Sequence, residues 1–266
     1  MTFKYTPIST FRKSTFTASS LEGHMISHDI YQRGEGPPIV LIQELPGIGT
    51  ETLRLADRLI DGGFEVVLPH LFGPLEKTSM VANMARVFCM RREFRLFETN
   101  KSSPVVDWLK ALCEDIRVSR GVRGVGVIGM CLTGNFAISL MGDDSVLAAV
   151  SAQPAMPIHK QDALHMSPQE VAAVKSNIEQ SAPMHAFRFA GDKMCSATKF
   201  DCIDKEFNSG DRERVKLTTL PGNGHSVFTL DFVDEEGHPT RQALDTILEY
   251  FTSQLARTIA TIGVRS

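Results

Sequence analysis

A cysteine, a histidine and a carboxylate can together run nucleophilic acyl transfer. The thiolate attacks, the imidazole moves protons, and the carboxylate fixes the imidazole's tautomer. The stretch Gly126-Val-Ile-Gly129-Met-Cys131-Leu-Thr-Gly134 reads as a strand, a glycine, one residue, a nucleophile-type residue and then a helix. A nucleophile on such a sharp, strained turn projects clear of the backbone, provided its neighbours are small. The helix that follows points its N-terminus at the sulfur and favours the thiolate. The N–H of Leu132, next after the nucleophile, can then stabilise an oxyanion. The plainer reading of Cys131 is a small buried filler at a strand–helix joint, since free cysteines are among the most buried residues. The same stretch matches G-x-G-x-x-G through Gly124, Gly126 and Gly129. A dinucleotide fingerprint follows its strand, however, whereas here the residues between the glycines are the strand.

Two further strand ends carry the remaining parts. Phe187-Arg-Phe-Ala-Gly191-Asp192 is an apolar run ending in Gly-Asp, and Leu220-Pro-Gly-Asn-Gly-His225 is one ending in a glycine-rich loop with a histidine. Gly-Asp is also a common turn dipeptide, and a loop histidine is usually just solvated. Asp201 and Asp204 are rival acids, but both fall inside an expected helix. Cys131, Asp192 and His225 follow in the order nucleophile, acid, histidine, which is the order found in α/β-hydrolases.

These residues need a scaffold of parallel strands, and the hydrophobic pattern supplies one. Pro38 to Gln43 is a branched apolar run suited to a buried strand. Thr50 is placed to cap a helix through Ile60 with Leu53, Ala56, Leu59 and Ile60 on one face, and Gly62 and Gly63 stop it. Phe64 to Leu68 is the next strand, which completes a βαβ unit and so implies parallel pairing. The alternation continues with a helix from Ser103 and Pro104 that carries Val105, Trp108, Leu109, Leu112 and Ile116. A strand over Val122 to Ile128, a helix from near Cys131 to Leu140 and a strand over Leu147 to Ser151 follow. Ser167, Pro168 and Glu170 form a capping box for a helix to about Gln180. His185 to Phe189 and Val215 to Leu220 are the last strands, and Pro239 opens a closing helix with Leu244, Ile247, Leu248, Phe251 and Leu255 inward. The expected fold is α/β, a mostly parallel central sheet with helices on both faces, in one domain over residues 1–266. The least regular stretch, 71–101, mixes Met80, Met84, Phe88, Met90, Phe94 and Phe97 with Arg86, Arg91, Arg92 and Arg95. It is expected to form helical cover over the strand ends, where open α/β sheets bind ligands.

Composition narrows the function classes. The 266 residues are 42% hydrophobic and 22% charged, enough apolar surface for a sizeable core. Net charge is -3 and no basic stripe appears, which argues against nucleic acid as a partner. No apolar run reaches the roughly 18 residues of a membrane span. The N-terminal MTFKYTPISTFRKSTFT has no apolar core of a signal peptide, which points to the cytoplasm. Cys89, Cys113, Cys131, Cys195 and Cys202 form no C-x-x-C pair, and their odd number suits free thiols in a reducing compartment. His24 and His28 fall in an expected N-terminal hairpin, and His159 and His165 are too far apart for one helical face. No metal and no cofactor is predicted.

Gln43-Glu44-Leu45 at a strand end, Gly129-Met-Cys131-Leu, Gly191-Asp192 and Gly224-His225-Ser226 together resemble the dienelactone hydrolase family, over about Val40 to Phe251. The resemblance implies the α/β-hydrolase fold and cleavage of a small-molecule ester or lactone by Cys131, His225 and Asp192. It also implies that Glu44 holds the resting thiol and accepts its proton, and that the N–H of Leu45 is the second oxyanion donor. Burial of Glu44 at the end of an apolar strand would raise its pKa and suit it to proton exchange; the simpler role is a capping carboxylate near Thr50. Two positions depart from the family pattern. Thr133 stands where the family has glycine, which predicts a more crowded elbow. Thr229 stands where the family has an arginine that binds the substrate carboxylate. Arg92 is then the expected substrate-binding residue, with Arg91 and Arg95 as alternatives and a solvated or ion-paired helix face as the plain reading. The two departures also leave room for a catalytically quiet relative that binds or senses electrophiles through Cys131.

Overall fold

The computed structural model describes residues 5–76, 103–155, 163–164 and 166–255. An antiparallel hairpin of β1 (Arg12–Ser19) and β2 (Met25–Arg33) precedes the alternating elements. These are β3 (Pro38–Ile42), α1 (Thr50–Asp61), β4 (Glu65–Pro69), α2 (Pro104–Arg120), β5 (Val125–Met130), α3 (Leu132–Leu140) and β6 (Val146–Ala152). Then come α4 (Pro168–Glu179), β7 (Met184–Phe189), α5 (Ala197–Phe207), β8 (Val215–Leu220) and α6 (Pro239–Leu255). All eight strands share one sheet in the order β1-β2-β4-β3-β5-β6-β7-β8. Pairing from β4 to β8 is parallel, and β2 joins antiparallel to β4.

Alternation within the strands divides the apolar residues between two faces. Val40, Val67, Val127 and Ala149 bury with Trp108, Leu112, Phe136, Ile178 and Phe200, so α2 to α5 cover one side. Ile39, Leu41, Val66, Leu68, Ile128 and Val150 bury with Leu53, Leu59, Ile247 and Phe251, so α1 and α6 cover the other. This is the mostly parallel, doubly covered α/β sheet that the pattern predicts. The Ser167–Glu170 capping box forms with both reciprocal bonds.

Three local readings change. Gly49, not Thr50, caps α1: its carbonyl accepts from the N–H of Leu53 at 3.1 Å, and Thr50 is the first helical residue. β5 begins at Val125 rather than Val122, because Gly121 ends α2 in the left-handed conformation (φ 63°) and Val122 to Gly124 are spent returning the chain to the sheet. β5 also runs on to Met130, so it ends directly at Cys131. Of the expected cover segment 71–101, only 71–76 is described. It begins against the loop after β3, where the N–H of Glu76 donates to the carbonyl of Ile48 at 2.8 Å. Arg91, Arg92 and Arg95 lie outside the described residues.

Candidate active site

Parallel register levels the strand ends. Ile42 pairs with Gly129, Met130 with Ala152, Ala152 with Phe187, and Phe189 with Leu220. Glu44, Cys131, Gln153, Asp192 and His225, each just past a strand, therefore gather along one edge of the sheet.

Cys131 has φ 56° and ψ -121°, a backbone conformation that costs an L-residue of order 1–3 kcal/mol. Hydrogen bonds hold it there. Its N–H donates to Ala152 at 3.0 Å, and its carbonyl accepts from the N–H groups of Gly134 at 3.0 Å and Ala155 at 3.1 Å. Gly129 is obligatory, since a Cβ there would lie 2.1 Å from the carbonyl oxygen of Thr133. The crowding expected at Thr133 is converted into bonding. Its hydroxyl oxygen accepts from the N–H of Met130 at 2.9 Å and lies 3.0–3.2 Å from the carbonyl oxygens of Met130, Gln43 and Ile42. Thr133 thus ties the ends of β3 and β5 together beside Cys131. The N–H groups of Leu132 and Leu45 make no hydrogen bond with another described residue, so both remain available as donors.

His225 Nδ1 and Asp192 Oδ2 lie 2.7 Å apart. The other oxygen of Asp192 accepts from the N–H groups of Met194 at 2.8 Å and Cys195 at 3.0 Å. Burial alone would raise the Asp192 pKa, but the bonds from His225 and these backbone groups hold it below the usual carboxylate range. Burial would lower His225; the bond to Asp192 and then the neighbouring Cys131 sulfur outweigh it and push the imidazole up to about 10. With Nδ1–H given to Asp192, Nε2 is the ring nitrogen left to exchange a proton with the site. Nε2 is buried and has no described partner at hydrogen-bonding geometry, although Cys131 is close enough to act on the ring. Asp231 shapes this loop by accepting the N–H groups of His225 and Ser226 at 2.8 and 2.9 Å. The rival acids Asp201 and Asp204 are exposed on α5.

Glu44 is buried, and neither oxygen caps α1 or bonds to the thiol. Oε1 accepts from the Thr229 hydroxyl, and Oε2 from the Ser226 hydroxyl at 3.0 Å and Gln153 Nε2 at 3.3 Å. Burial raises its pKa against the effect of these bonds and of the His225 charge. Thr229, which stands in the place of the family arginine, is therefore committed to Glu44. Gln153 is the site residue that sequence reasoning missed. It is wholly buried, has φ 36°, and the one available signal was its position directly past β6.

A groove of about 600 Å³ borders Asp192 and His225, lined also by Lys193, Met194 and Asn223 with Gly191 and Gly224. Two of the other described thiols are set apart by environment, while Cys202 is half-buried on α5. Burial pushes Cys195 up to about 12 and Cys113 higher still, so both stay protonated, while Cys131 is half-buried at the elbow.

The dienelactone hydrolase family model matches residues 27–255 of the chain. Among solved structures, a dienelactone hydrolase-like promiscuous phosphotriesterase from metagenomic libraries superposes with a TM-score of 0.63 at 14% identity, covering 91% of this chain and 98% of its own. An esterase from Pyrococcus furiosus gives a TM-score of 0.58 at 13% identity, covering 95% and 96%. A cold-adapted esterase from an Arctic intertidal metagenomic library gives 0.57 at 14% identity, covering 95% and 97%. No curated protein sequence matches. The fold is that of the α/β-hydrolases.

Proposed function

Because the chain belongs to the dienelactone hydrolase family, we propose that it hydrolyses an ester or lactone through Cys131, with His225 as base and Asp192 orienting it. The observation that carries this reading is the 2.7 Å Asp192–His225 bond beside a cysteine on a strained elbow. Nε2 of His225 takes the thiol proton, and the sulfur attacks the carbonyl carbon. The N–H groups of Leu132 and Leu45 hold the oxyanion. The tetrahedral intermediate collapses to a thioester as the departing alkoxide takes the proton from the imidazolium. Water, deprotonated by His225, then attacks the thioester and releases the acid and the thiol. Asp192 keeps the proton on Nδ1 throughout, so Nε2 serves each transfer.

Glu44 assists by accepting a proton near the resting thiol, a role its raised pKa suits. Arg92 is the proposed group for a substrate carboxylate, and Arg92→Ala should raise KM for anionic esters more than for neutral ones. Among the described residues no helix is long and apolar enough to cross a membrane. With the described thiols unpaired, a reducing cytoplasm is the proposed setting.

A panel of small esters and lactones tests the reading, with wild type set against Cys131→Ala and mass spectrometry for an acyl adduct on Cys131. Turnover that vanishes in the variant, with an adduct trapped in wild type, supports it. Ester turnover that survives in Cys131→Ala sinks it.

A further inference from the structure

We infer that Gln153 is a positioning residue that sets Glu44 and the His225 loop in one fixed relation across the nucleophile elbow. The inference rests on the reading of Cys131 and His225 as the reacting pair. Gln153 stands past β6 and Glu44 past β3, with β5 and its Cys131 between them. The Gln153 side chain spans that gap. Its Nε2 donates to Glu44 Oε2 at 3.3 Å, and its Oε1 accepts the N–H of Val227 at 3.3 Å. A backbone N–H can only be met by the amide oxygen, so the bond from Val227 decides which end of the amide faces Glu44. The donor is thereby aimed at the carboxylate.

The backbone of Gln153 is held as firmly. Its N–H donates to the carbonyl of Phe187 on β7 at 2.6 Å, and its φ of 36° is one that a glutamine adopts only where surroundings over-determine it. Three strand ends and the histidine loop therefore meet on one residue. The loop is fastened to Glu44 a second time, through the Ser226 and Thr229 hydroxyls on either side of Val227. His225 is the cation that faces Glu44, with Asp192 behind it. Among the described residues, every other donor on Glu44 is a hydroxyl of the histidine loop itself, so Gln153 is the described donor that ties the carboxylate to the sheet. Without it, Glu44 and the loop would move as a unit relative to Cys131.

The test reads the reactivity of Cys131 itself, so it does not depend on knowing the substrate. The rate of Cys131 alkylation by iodoacetamide is followed against pH, with the adduct located by mass spectrometry and folding checked by thermal melting. Gln153→Glu keeps an acceptor for Val227 but sets a second carboxyl against Glu44. Its alkylation midpoint should rise by about one pH unit, with a rate near pH 7 about tenfold below wild type. Gln153→Met, which loses both bonds at similar volume, should also slow about tenfold and gives the same reading if Gln153→Glu does not fold. Folded variants whose profiles superimpose on a reactive wild type overturn this inference alone. So does a loss of amplitude with an unmoved midpoint, the mark of a merely structural role. A wild-type Cys131 no more reactive than a buried thiol overturns the reading of the reacting pair and this inference with it.

Discussion

Two histidines, one at each end of the sheet, have their pKa values pushed in opposite directions. His185 is the second residue of β7, at the far edge from the site, and its ring lies 4.5 Å from that of Tyr250 and 6.0 Å from that of Phe187. Its Nδ1 meets no hydrogen-bond partner among the described residues. Burial, helped by the nearby charge of Lys216, pushes its pKa down to about 4. His225 is half-buried, yet its pKa rises to about 10. Both rings lose water. The difference is a carboxylate at 2.7 Å, itself anchored by two backbone N–H groups, with the Cys131 sulfur as a second raising influence. An imidazole that has lost water therefore refuses or holds a proton according to whether a fixed anion stands beside it.

The sharpest way to break that contrast is Asp192→Asn. It should lower turnover about a thousandfold, because the ring loses both its tautomer preference and the stabilisation of its charged form. Imidazole resonances followed by NMR should then show His225 titrating well below its wild-type midpoint. An unchanged midpoint would mean that Cys131, not Asp192, sets the charge. The sign for stability follows from the raised pKa. The His225 contribution is fully present below pH 6.5 and is lost as pH rises through about 10. In Asp192→Asn that alkaline loss should shrink.

A smaller effect is expected at the other end. His185 has a depressed pKa, so the unfolded chain binds a proton that the folded chain refuses between pH 6.5 and about 4. Wild type should lose stability as pH falls through that window, by about 2 kcal/mol after allowance for solvent screening. His185→Phe, which keeps the ring contacts, should remove this loss in urea melts compared at pH 7 and pH 4.5. Least of all, Lys216→Met should raise the His185 midpoint by a few tenths of a pH unit, since burial is the larger cause. A shift above one unit would make Lys216 the dominant cause and weaken the comparison.

How legible the site was depended on what each residue stands beside. Cys131, Asp192 and His225 were readable because each follows a strand-like run with a glycine one or two positions before it, a combination that betrays a strained strand end even without coordinates. Gln153 was not, because a neutral amide after Ala152 carries no such marker and its importance lies in bonds to residues far along the chain. The partners of Glu44 were hidden for the same reason, Ser226 being 182 positions away. Thr133 was read as crowding because its bulk is visible in the sequence, whereas the carbonyls its hydroxyl meets are brought there only by β3. The sheet and its helices were legible almost throughout. The shift in β5 arose where Val122 looked like strand but the left-handed Gly121 still had to turn the chain.

The close approach of Gly129 to the Thr133 carbonyl has a consequence for anyone who wishes to re-engineer this cleft. Position 129 is closed to every side chain, since even a methyl would meet that oxygen at 2.1 Å. Position 131 is a different matter, because its backbone is set by neighbours and not by its own sulfur. Cys131→Ser would therefore seat a hydroxyl on the same strained backbone, held by the same three hydrogen bonds.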